Sequence, residues 1–302
     1  MNRRQFLSTS VAAGAYLSFP GSPVLFGAEN SSPLPYDLVA VKNGEPGKMF
    51  DAAIEALNGM KTFVKKGHTV VLKPNIGWDV TPDRAGNTNP QLVKRVIEHC
   101  FNAGAKQVYV FDHTCDNWQR SYSHSGIEAA VRDAGGTLVP GNSENYYQSV
   151  EVPLGTNLRS AKEHELILEA DVFINVPILK SHSSARMTAA MKNLMGNVWD
   201  RGEWHRNDLH QCIADFATFR KPDLNVIDAY NVMKQNGPRG VSVADVVTMK
   251  AQLVTTDIVT ADAAAAKLFG LAPNEIRYIT IASEKKTGRA DLEHLAIKRI
   301  TL

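Results

Sequence analysis

The chain has 302 residues, 44% of them hydrophobic, which is enough apolar material for the core of one large domain or two small ones. Its 33 basic and 31 acidic residues nearly cancel to a formal net charge of +2, and no Lys or Arg run is long enough to track a phosphate backbone, which argues against nucleic acid as a partner. Cys100, Cys115 and Cys212 are far apart with no CxxC pair, so a dense disulfide framework and a self-contained cysteine-ligated zinc or iron–sulphur site are both excluded.

At the start, Arg3 and Arg4 precede an apolar run from Val11 to Phe26 that Gly14, Pro20, Gly21 and Pro23 interrupt. A spanning helix wants about 20 unbroken apolar residues, so the segment 1–28 reads as a twin-arginine signal peptide, cleaved near Ala28 or kept as a tether. The competing reading is a chance arginine pair before a membrane anchor. A twin-arginine signal implies the twin-arginine translocase as a partner and a periplasmic location, and it delivers cargo already folded, often with a cofactor inside. A linker is expected over 29–36, followed by a single domain over 37–302.

In that domain β-branched runs alternate with helical periodicity. The pattern predicts strands over Leu38–Val41, Thr69–Leu72, Gln107–Phe111, Val172–Val176, Leu224–Ile227 and Gln252–Thr255. It predicts helices over Lys48–Met60, Pro90–Ala103, Gly126–Ala134 and about Ser184–Asn197. The helix at Pro90 has Asn89 as its N-cap and Pro90 in its first turn, and it aligns Leu92, Val93, Val96, Ile97, Cys100 and Phe101 on one face. Such alternation gives an α/β fold: a mainly parallel sheet with helices on both faces.

Polar residues follow the apolar strands: Lys73-Pro-Asn75, Asp112-His113, Lys180-Ser-His182, Asp228 and Thr256-Asp257. Ligands of open parallel sheets bind outside the carboxyl ends of the strands, so these five segments are expected to converge on one site. The plainer alternative is that such residues only cap the next helix, which suits Asp257 or Asp262 taken singly. It suits Lys73 and Lys180 poorly, because each sits behind an apolar strand with a proline nearby.

Lys180 and His182 are followed by Thr188 and Lys192, one turn apart if the segment is helical. A helix N-terminus between two lysines would attract a carboxylate or phosphate, with Lys73, Asn75, Thr88, Asn89, Thr188 and Asn193 as anion contacts. His182, Lys180 and Lys192 are the candidate catalytic groups, with His182 as acid and base. A metal ion would draw on His210, Asp112 and Asp228. His205 and His210 are five apart, which is not the usual helical ligand pair, and Cys115 is the one thiol that no core face explains. GxGxxG, GxxxxGK[ST], HExxH and GxSxG are all missing.

Ordered blocks from about Val39 to Gly270 resemble the domain of unknown function 362 family. They include Lys73-Pro-Asn75, Thr88-Asn89-Pro90, Ala170-Asp-Val-Phe-Ile-Asn-Val-Pro177, Lys180-Ser-His182, Lys192-Asn-Leu-Met-Gly196, His210, Asp215, Asp228 and Gly237-Pro-Arg-Gly240. Members are often iron–sulphur-associated and carry a ferredoxin module. With too few cysteines for one, the resemblance implies a separate ferredoxin-like or redox partner for this chain. The order His182, Lys192, Gly196, His210 is also similar to nickel-pincer lactate racemases, which implies a catalytic His182, a cofactor-bearing Lys192 and a metal-binding His210. The glycine-rich stretch that precedes that lysine is replaced here by Arg-Met-Thr-Ala-Ala-Met.

Three functions remain. The first is an exported cofactor- or metal-dependent enzyme acting on a small anionic substrate. The second is a ligand-binding or accessory protein for an exported redox system. The third is a scaffold with capped strand ends.

Overall fold

The computed structural model describes residues 34–302, so the twin-arginine signal and most of the linker lie outside the described residues. The strands are β1 (Leu38–Lys42), β2 (Thr69–Pro74), β3 (Gln107–Val110), β4 (Thr137–Leu138), β5 (Tyr147–Glu151) and β6 (Ser160–His164). They continue with β7 (Val172–Val176), β8 (Ile178–His182), β9 (Arg186–Thr188), β10 (Leu224–Met233), β11 (Val246–Thr255) and β12 (Ile297–Thr301). The helices are α1 (Pro46–Ala56), α2 (Pro90–Ala103), α3 (Trp118–His124), α4 (Ile127–Asp133), α5 (Glu165–Glu169) and α6 (Ala190–Asn193). They end with α7 (Gly202–Arg206), α8 (Leu209–Phe216), α9 (Ile258–Phe269) and α10 (Arg277–Glu284).

Ten strands form one sheet in the order β12-β1-β11-β10-β7-β2-β3-β4, with β8 beside β10 and β9 beside β8. The block β10-β7-β2-β3-β4 is wholly parallel, and β5 and β6 make a separate antiparallel pair. The period of two in the buried strands divides the core in two. Val70 and Leu72 of β2, with Val172 and Ile174 of β7, face the cluster built on α1, α2 and α4. Val71 and Phe173 face the cluster that includes residues of α6, α8, α9 and α10. This is the expected α/β architecture, a mostly parallel sheet with helices on both faces.

Two expectations fail, for identifiable reasons. Strand β11 runs antiparallel to β10, so its carboxyl end, with Thr256 and Asp257, lies at the edge opposite the other strand ends. Asp257 there caps α9, accepting hydrogen bonds from the N–H groups of Val259 and Thr260 at 2.9 and 3.0 Å. The expected helix over Ser184–Asn197 is instead the antiparallel β8–β9 hairpin, which pairs Lys180 with Thr188, followed by the four-residue α6 and a 3-10 turn over Leu194–Asn197. The alternation Ala185, Met187, Ala189, each fully buried, is the pattern of a half-buried strand.

The amino end of α6 is held by Asp262, a fully buried residue of α9 whose carboxylate accepts the N–H groups of Ala190 at 2.5 Å and Met191 at 3.0 Å. Two of the N–H groups that a helix terminus would offer to an anion are thus taken by a carboxylate of the fold itself. Asp262→Ala would orphan two buried donors. A loss of about 2–3 kcal/mol in urea unfolding is expected, and unchanged stability would show that α6 is held elsewhere.

Candidate functional site

The register of the parallel strands places Lys73 of β2 opposite Asn175 of β7, and Asn175 opposite Asn225 of β10. All three point to the side of α6, where apolar contacts alone would leave them unpaired. Asn193 resolves this from above. Its amide donates to Lys73 O at 3.2 Å and Asn175 Oδ1 at 2.8 Å, while the Lys73 ammonium donates to Asn193 O at 2.6 Å and Oδ1 at 3.1 Å. Asn175 in turn donates to Ala190 O at 3.1 Å and Asn225 Oδ1 at 3.0 Å. A polar row thus crosses from the sheet into the helix that carries Lys192.

Lys73 is 1% exposed and forms an ion pair of 2.9 Å with Asp112 Oδ1. The other carboxylate oxygen accepts Ile76 N–H at 2.6 Å, joining the ends of β2 and β3. Burial pulls the Lys73 pKa down, against the opposing pull of Asp112. The main chain at Gly196 passes directly over this pair, where a Cβ would overlap Asp112 Oδ1 and Lys73 Nζ. His113 N–H donates to Gly196 O at 3.0 Å and fixes the crossing.

Lys180 is also 1% exposed. Its ammonium donates to Gly86 O at 2.5 Å and Asn75 Oδ1 at 3.2 Å. Burial lowers its pKa to about 7, with the charges of Lys192 and Lys73 adding to the effect. The half-buried Lys192 opens to the cavity, and among the described residues its amine has neither a hydrogen bond nor an ion pair. Burial first, then the cationic Arg201 and Lys73, hold it at about 8, against the opposing pull of Cys115 and Asp112.

His182 Nδ1 accepts the backbone N–H groups of Ser184 and Ala185 at 3.1 and 3.2 Å, so the ring proton of the neutral form sits on Nε2. Burial, with Lys192 and Lys180 beside it, pushes its pKa down to about 2. It is therefore a neutral hydrogen-bond donor near neutral pH, and Nε2 has no free lone pair for a metal.

A cavity of about 260 Å³ gathers eight of the sequence-predicted residues: Lys73, Asn75, Asp112, Lys180, His182, Thr188, Lys192 and Asn193. Its rim adds Arg201, held by the carbonyls of His113 and Thr114, together with Trp78, Cys115 and His205. Lys73, Lys180, Lys192 and Arg201 face a single carboxylate, that of Asp112. The remaining predicted residues do not line the cavity. Thr88 ties β2 to β7 through Asn75 N–H at 2.8 Å and Val176 O at 2.7 Å, and Asn89 caps α2. Asp228 accepts Asn89 N–H at 2.7 Å and Tyr230 N–H at 3.1 Å, and burial raises its pKa to about 6. His210 lies on α8, its ring stacked at 5.7 Å on that of Tyr278.

The structure does not bring His210, Asp112 and Asp228 of the expected metal set together at the cavity: Asp112 is paired with Lys73, and each Asp228 oxygen accepts a backbone N–H. Among the described residues no three His, Cys, Asp or Glu side chains are grouped to hold a metal ion. Arg201, Asn175 and Asn225 were missed, since a loop arginine and two strand asparagines carry no local signal. The asparagines could have been found only from the register that aligns them with Lys73.

These features define an α/β protein with a lysine-lined cavity at the carboxyl edge of its parallel strands. A family model described as a domain of unknown function (DUF362) matches residues 70–267, and the chain belongs to that family. A thylakoid-associated protein of Synechocystis is 30% identical over 193 residues, covering 61% of this chain and 59% of that protein. The chain thus spans less than two thirds of that relative's length. The lactate racemase apoprotein of Thermoanaerobacterium thermosaccharolyticum is similar at 12% identity and a TM-score of 0.43, over 70% of this chain and 53% of that one. A Thermotoga maritima protein of known crystal structure is similar at 12% identity and a TM-score of 0.48, over 75% and 60% of the two chains.

Proposed function

We propose that this protein is an enzyme that binds a small carboxylate- or phosphate-bearing substrate in the cavity and moves a proton to or from it with a lysine amine. The observation that carries the reading is Lys192, an unpaired amine among cationic neighbours with a pKa of about 8. Near neutral pH such a group exists in both forms, which is what proton transfer requires. Lys180, at about 7, is the second titrating amine. His182 Nε2–H is a fixed neutral donor for an oxygen that gains negative charge in the transition state. The Lys73–Asp112 pair and Asn193 hold the helix that presents Lys192.

An anion in the cavity stabilises both ammonium forms, so binding takes up protons wherever the free amines are partly neutral. Calorimetry with oxalate and with inorganic phosphate, in buffers of differing ionisation enthalpy, is expected to show proton uptake at about pH 8. Uptake should vanish near pH 6, below the free values of about 7 and 8. Binding without proton linkage across that range, or no binding of either anion at millimolar concentration, would overturn the proposal.

Export by the twin-arginine translocase to the periplasm is part of the same proposal and rests on Arg3 and Arg4. Changing both to Lys keeps the charge and removes the recognised pair. The variant is expected to stay in the cytoplasm by cell fractionation, and unimpaired export would end that assignment.

A further inference from the structure

We propose, resting on the reading above, that Lys192 is a nucleophile and that the substrate class is a 2-oxo acid held as an iminium on its amine. The three lysines of the cavity differ in one respect. Lys73 is bound to Asp112 and Asn193, and Lys180 to Gly86 and Asn75, whereas Lys192 has no partner among the described residues and opens to the cavity. An amine destined to bond to carbon must be free in this way.

Its surroundings suit a carbonyl flanked by a carboxylate. His182 Nε2–H and the Thr188 hydroxyl, which is likewise without a partner among the described residues, are the donors available to a carbonyl oxygen as it gains charge. Lys180 and Arg201 supply positive charge for the carboxylate, while Trp78 and Met195 offer apolar surface for a short side chain. About 260 Å³ is at the small end for ligand pockets and fits a short oxo acid. Burial, with the cationic neighbours Arg201 and Lys73 adding to it, holds Lys192 at about pKa 8 and so keeps part of it neutral, and nucleophilic, at physiological pH.

The step balances without an oxidant or reductant. The neutral amine of Lys192 adds to the carbonyl carbon, and the resulting alkoxide takes a proton from the Lys180 ammonium. The added nitrogen gives up a proton, which re-forms that ammonium. Lys180 then protonates the departing hydroxyl, which leaves as water as the C=N⁺ bond forms. One water is lost, and the positive charge stays on the new iminium.

The full chain should be incubated with pyruvate and sodium cyanoborohydride near pH 7.5, then mapped by peptide mass spectrometry. One reduced adduct is expected, on Lys192, and excess oxalate should suppress it. Folded Lys192→Arg protein, verified by circular dichroism, is expected to give none. If pyruvate and oxalate bind with proton uptake but no adduct is trapped, or if the adduct falls on Lys180 or evenly on surface lysines, the iminium is refuted and the anion site stands. If neither anion binds, both readings fall.

Discussion

Lys192→Met is expected to remove oxalate binding and turnover while leaving the melting temperature unchanged or higher. The amine makes no hydrogen bond or ion pair among the described residues, so the fold loses no bond with it. Its pKa is about 8 in the folded chain against an ordinary 10.5, so folding works against its charge. A lysine lowered in this way costs stability in full below about pH 8, where the folded state must carry the proton. That cost is relieved as pH rises from 8 towards 10.5, where the unfolded chain gives up its own proton. The gain from Lys192→Met should therefore be greatest below pH 8 and fade above it. For activity, a positioned proton-transfer group contributes on the order of 10²–10⁴-fold, and a loss in that range is expected. Parent-like oxalate affinity in the variant would remove Lys192 from the site.

Lys73→Met is expected to do the opposite, costing about 3–5 kcal/mol of stability, because it leaves the Asp112 carboxylate buried without its counter-charge. In the double variant with Asp112→Asn, the new amide still offers an oxygen to Ile76 N–H and no charge is stranded. It should recover a measurable part of the loss in urea unfolding. Gly196→Ala is expected to disturb the same pair from above, since its methyl would occupy the position of Asp112 Oδ1. Equal destabilisation of the single and double variants would mean that the pair is not the source of the cost.

What the sequence conveyed, and what it did not, follows from the range of each signal. Lys73, Asp112 and Lys180 were legible because a charged residue directly behind a buried strand has few reasons to be there, and all three reach the cavity. The segment Ser184–Asn197 was misread because Met and Ala satisfy helical and strand periods alike over so short a stretch. Pairing of β8 with β10 and β9 decided it. The direction of β11 was invisible, since an apolar strand reads the same whether it runs up or down. Only the long β10–β11 hairpin, turning through Gly237-Pro238, reverses it. Asp228 lies within β10 and not in the cavity lining, and its partner Asn89, distant in the sequence, could not be read locally. The site is thus readable where burial alone selects the residue, and hidden where register or strand direction does.

The central claim is that Lys192 is a perturbed amine inside a ligand cavity. Competitive acylation of the native protein over pH 6–11, with each lysine's extent of labelling read by mass spectrometry, tests it directly. The account predicts that Lys192 labels with a midpoint near pH 8 and is protected by oxalate. A midpoint at the ordinary lysine value of about 10.4, with no protection, would contradict it.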